Sequence, residues 1–113
     1  SPLTADGDTR DLIVRLRALP LIVASNRLGV IHAARATLGC LSPSLRSCVP
    51  VVLMAPASAD ASTARNARSL ADYHPADRIV EIPRVSVAIQ SGASSPSVAL
   101  NRKLDQILSL LAI

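Results

Sequence analysis

Apolar positions in this chain recur with two different spacings, and the switches between them mark out its elements. Over residues 9–19, Leu12, Ile13, Leu16 and Leu19 share one face while Arg10, Arg15 and Arg17 lie opposite, which predicts an amphipathic helix. Asp8 suits the N-cap of that helix, with Asp11 at its third position. Pro20 ends it and opens the run Leu-Ile-Val-Ala at residues 21–24. That run has no alternation, as expected of a parallel strand covered on both faces. Ser25, Asn26 and Arg27 break it, Gly29 permits a tight backbone turn, and small aliphatic residues over 30–41 predict a second helix.

The same sequence of events repeats. Residues 49–54 form a second apolar strand, and Asp60 or Ser62 caps a helix running to residue 73 with Ala64, Ala67, Leu70 and Ala71 on its apolar stripe. His74 and Pro75 stop that helix. Residues 78–82 form a third strand closed by Pro83, residues 85–89 suit a short extended piece, and residues 91–96 form a polar loop. Ser97 caps a last helix carrying Leu100, Leu104, Ile107, Leu108 and Leu111. Helix and strand alternate with short connections, so the expected fold class is α/β, a parallel sheet covered by helices. Residues 1–113 read as one α/β domain, and three central strands plus a strand-like scrap at residues 1–4 suggest the C-terminal half of a larger sheet.

Composition narrows the chemistry. Half of the 113 residues are apolar, yet Tyr73 is the one aromatic, so the core is aliphatic. No apolar run approaches the roughly 20 residues of a membrane helix, so no membrane partner is expected. The net charge of +4 comes from dispersed arginines without interleaved aromatics, which argues against nucleic-acid binding. Cys40 and Cys48 match no metal spacing; two buried thiols in a cytoplasmic protein are expected. His74 reads as a helix-end residue and Tyr73 as a half-buried helix residue with its hydroxyl in water. No Gly-rich phosphate loop, metal cluster or Ser/His/Asp arrangement is present in the sequence, and no residue is assigned a catalytic role.

What remains is a set of loops at the carboxyl ends of the strands: residues 25–29, 55–60 and 83 onward. Parallel neighbours place such loops along one edge, where α/β proteins bind ligands. The turn at Gly29 also aims the first amides of the following helix at that edge, and such amides attract anions.

The segments at residues 1–4, 19–23, 26–32, 51–53, 60–67 and 81–83, in this order and spacing, resemble the C-terminal half of dethiobiotin synthetase. The most specific piece is Leu28-Gly29-Val30-Ile31-His32 after an apolar strand. The resemblance implies a P-loop NTPase-like three-layer fold. It also implies an ATP-dependent ligase of biotin biosynthesis that closes a cyclic urea on 7,8-diaminopelargonic acid with CO2. In that family ATP and Mg2+ are held mainly by the N-terminal half, so this chain alone is expected to be inactive. The resemblance places Leu28, Gly29, Val30, Ile31 and His32 at a dimer interface, where their amides hold the substrate carboxylate, and Asn66 beside the substrate tail. It assigns the nucleotide base to Met54, Ala55, Pro56, Pro83, Arg84 and Val85. It implies a homodimer, or pairing with an N-terminal P-loop half. Two departures stand out: Met54-Ala55 replaces the family's Asn-Asp, and His32 replaces an Asn. The alternative is a non-catalytic dimerisation or interaction module derived from that fold.

Overall fold

A computed structural model describes residues 2–85, 90–92 and 95–112. Except for Val85, the extended piece expected at 85–89 lies outside the described residues, as do positions 93 and 94 of the expected loop. The chain opens with a small antiparallel pair, β1 (Pro2–Thr4) and β2 (Gly7–Asp8), which is separate from the main sheet. Helix α1 (Thr9–Leu16) follows directly. Asp8 accepts from the amides of Arg10 and Asp11, and Asp11 accepts from the Asp8 amide, a reciprocal cap that fixes where α1 begins. It ends three residues earlier than its apolar spacing suggests. Arg17 turns left-handed with φ 50°, and the amides of Arg17 and Ala18 close back on Val14 and Ile13.

The central sheet is β3 (Ile22–Ser25), β4 (Val51–Met54) and β5 (Ile79–Ile82), all parallel, with β4 in the middle. Helix α2 (Val30–Gly39) and the short α4 (Asn66–Leu70) cover one face. There Val30, Ala34, Leu38, Val51, Leu53 and Leu70 are buried together. Helix α5 (Val98–Leu111) covers the other face, where Leu100 meets Val52, Val80 and Ile82. Ser97 caps α5 by accepting from the Leu100 amide at 3.2 Å. One turn of helix, α3 (Pro43–Arg46), links α2 to β4. The architecture is thus α/β, a three-stranded parallel sheet flanked by helices. Among the described residues no helix is long and apolar enough to cross a membrane.

Three local expectations differ from the structure. Strand β3 is not covered on both faces: it is an edge, and Val23 is 59% exposed although its register partner Val52 is buried. Helix α5 packs over β4 and β5 and leaves the matching side of β3 open. Cys40 and Cys48 are free but exposed, because they sit just past the end of α2 and in the turn before β4 rather than on a packed face. The helix expected to run from residue 60 to 73 is regular only at α4. Its first turn is taken over by Asp60, Ser62 and Thr63, whose side chains bond nearby amides and compete with helix geometry. His74 is buried at the end of this segment, its Nε2 2.7 Å from the Val49 carbonyl, a structural tie that fits its reading as a helix-end residue. Tyr73 is 56% exposed, with the Arg35 guanidinium 3.9 Å above its ring.

Candidate functional site

The three strands end side by side, and the residues that follow them build a cleft. Asn26 continues β3, Ala55 continues β4 and Pro83 continues β5. The Asn26 amide donates to the Met54 carbonyl at 2.8 Å, and the Ala55 amide donates to the Ile82 carbonyl at 2.9 Å. These bonds extend the sheet ladder one residue past β3 and β4 and hold their loop starts in line. A cavity of about 420 Å3 lies there, lined by Asn26, Ala55, Asp60, Thr63, Glu81, Pro83 and Lys103, with Ala59, Ala64 and Ile82 completing the wall.

A buried polar network forms one side. Asn66, on the first turn of α4, donates from Nδ2 to Asn26 Oδ1 at 2.9 Å, and also to the Arg27 carbonyl and Ser62 Oγ. Asn26 in turn donates to Glu81 Oε1 at 3.4 Å. Thr63 Oγ1 donates to the Asn26 carbonyl at 3.0 Å. Both asparagines are 4% exposed, and no buried side-chain N or O among the described residues lacks a partner. Such satisfaction is what makes buried amides tolerable, and it fixes their orientation. Their hydrogen bonds are committed to the protein itself.

Asp60 closes the rim. Its Oδ2 accepts from the Leu28 amide at 2.8 Å, and Oδ1 accepts from the Ser62 amide at 2.8 Å. The Ser62 hydroxyl bond, then the Leu28 and Ser62 amides, hold the Asp60 carboxyl down at about 2, below its ordinary 3.8; partial desolvation opposes them. A carboxylate therefore already sits at the first amide of the turn that the sequence marks as an anion seat.

The residues expected at the site fall into three groups. Ala55 and Pro83 line the cleft directly. Asn66 and Leu28 border it through the network: the Asn66 amide is spent on neighbours, and Leu28 is 81% exposed with its N–H given to Asp60. The others stand away from it. Gly29 caps α2 in the left-handed region, φ 90°, with no side-chain cap bond. Val30 and Ile31 pack against the core, while His32 is exposed on the first turn of α2. Met54 and Val85 pack against the cluster beneath α5, Arg84 is exposed, and Pro56 is partly covered.

Glu81 and Lys103 are the lining residues whose roles the sequence did not mark. Lys103 had a legible signal. It falls between Leu100 and Ile107 at helical spacing, so a lysine interrupts the stripe that packs on the sheet. Glu81 lies in the third strand, where side chains alternate between faces, but which of its faces meets the cleft depends on the sheet order. Neither residue forms an ion pair among the described residues.

The fold and this edge define the molecule as an α/β module with a cleft at the carboxyl end of its sheet, where small apolar residues and a few polar side chains share the wall. Compared with the profiles of known protein families, with curated proteins and with solved structures, the chain matches none.

Proposed function

We propose that this chain is the base-binding and substrate-positioning half of a dethiobiotin synthetase-like ligase with a P-loop NTPase-like fold. The observation that carries the reading is the meeting of the loops after β4 and β5. Ala55 and Pro83, both assigned to the nucleotide base by the resemblance, line one cleft of a size that takes a planar heterocycle. The cleft also stands where open α/β sheets bind ligands, outside the carboxyl ends of the strands.

The residues present fit a base. Small side chains (Ala55, Ala59, Ala64) leave room for a ring. Among the described residues no group of three or more His, Cys, Asp or Glu side chains is placed to hold a metal ion. In this reading Mg2+ and the phosphates are held by a companion P-loop half, and phosphoryl transfer to the substrate carbamate takes place there. The 7,8-diaminopelargonate carboxylate approaches the turn at Gly29 from a partner subunit. The test is to supply a P-loop half and measure nucleotide-dependent ring closure with CO2. Product formation that requires both parts supports the reading; its absence in a well-folded complex contradicts it.

One observation favours a second reading, a non-catalytic association module: Asp60 already occupies the Leu28 amide. Calorimetry with diaminopelargonate and nucleotide separates the two readings: association of copies with no heat from either ligand favours the module.

A further inference from the structure

We propose that the amino-terminal edge of the sheet carries a second binding site, which takes an aliphatic monocarboxylate. It lies at the opposite end of the strands from the base cleft and does not depend on that reading. A cavity of about 500 Å3 opens there. Leu19 stands before β3, Cys48 before β4 and Arg78 before β5, while α3 and the last turn of α5 close the wall with Leu45 and Leu110. The three leucines are half-buried, so the wall is largely aliphatic around one guanidinium.

Arg78 decides the charge of the ligand. Its Nη1 donates to the Cys48 carbonyl at 3.3 Å and to the Leu110 carbonyl at 3.1 Å, which pins the guanidinium against two wall residues. Its Nε and Nη2 have no partner among the described residues, and there Arg78 forms no ion pair. Their N–H bonds run parallel along one side of the guanidinium plane, the fork that fits the two oxygens of a carboxylate. Arg10 shows the same edge occupied: its Nε and Nη2 both donate to the Asp8 carboxylate. The main chain of the wall supplies no rival charge. The Ser44 carbonyl accepts from the Ser47 hydroxyl and the Leu45 carbonyl from the Cys48 amide, and what remains at Leu19, Ser44 and Ala112 is neutral. A phosphate would leave oxygens facing leucines without donors. A carboxylate with a methylene tail satisfies the fork and the apolar wall together.

Butyrate, hexanoate, octanoate and the neutral octanol are titrated by calorimetry into the folded chain at neutral pH. Octanoate binds, and each methylene that the wall covers tightens binding by roughly fourfold. Octanol binds roughly tenfold to a hundredfold more weakly than octanoate, the worth of hydrogen bonds to a charged group. Bound octanoate slows alkylation of Cys48 and leaves that of Cys40, which lines a different cavity, unchanged. Arg78→Lys keeps a charge and donors for the two carbonyls but has no fork, and it weakens octanoate by roughly tenfold. Circular dichroism melts establish that this variant folds; should it not, Cys48→Phe leaves Arg78 in place, fills the cavity and abolishes binding. No octanoate binding, octanol bound as tightly as octanoate, or equal protection of both cysteines overturns the site. None of these results bears on nucleotide binding in the base cleft.

Discussion

Strands β3 and β4 are near neighbours in composition and opposites in environment. Ile22-Val23-Ala24-Ser25 is an edge with one face open, whereas Val51, Val52 and Leu53 are 0%, 2% and 0% exposed. Packing on both sides holds β4. Strand β3 is held on one face by α2 and at its carboxyl end by the Asn26–Asn66 network and the Asp60 bond to Leu28. An apolar run alone does not say how buried a strand will be; its place in the sheet does. The difference also gives the cleft its character, because the polar knot that anchors β3 forms one of its walls.

The comparison breaks most readily at β4. Leu53→Ala removes a fully buried side chain between α2, α4 and the sheet, and should cost about 2–5 kcal/mol of stability in urea denaturation. Asn66→Leu is the corresponding test for β3. It leaves Asn26 Oδ1 and the Arg27 carbonyl without their donor, a loss of about 1–3 kcal/mol in the same measurement. It should also weaken ligand binding, since Asn26 is then free to turn away from Glu81.

Acid sharpens the contrast further. Asp60 titrates at about 2 in the folded chain, below its ordinary 3.8, so its contribution is complete above pH about 4 and is lost as pH falls through 2. The Leu28 amide resonance should follow that titration while the amides of Val52 and Leu53 stay unchanged. A flat Leu28 signal would mean that the Asp60 bond does not hold the turn in solution. The smallest effect belongs to the open face: Val23→Thr should change stability by no more than about 0.5 kcal/mol.

Much of this organisation was legible in the sequence. Asp8 with Asp11, Ser97, Gly29 and Pro75 mark element ends by local chemistry, and local chemistry is what a sequence displays. The alternation of helix and strand was equally clear. Strand order was not, so the open side of β3 and the face of β5 that carries Glu81 into the cleft stayed hidden. The segment at residues 60–65 misled for a different reason. Asp60, Ser62 and Thr63 are good caps and good turn formers, and tertiary bonds to Asn26 and Leu28 decide between the two. At the cleft, the loops carrying Ala55 and Pro83 could be placed along one edge from parallel pairing alone, but the contribution of Lys103 required the packing of α5.

The most direct test of the base site is a two-dimensional NMR titration of the folded chain with guanosine and adenosine nucleotides. The amides of Ala55, Glu81 and Ile82 should shift together and saturably, with those around α1 unmoved. Saturable shifts centred on α1 or on the open side of β3, or no shifts with any nucleotide, would contradict a base-binding cleft at the carboxyl edge of the sheet.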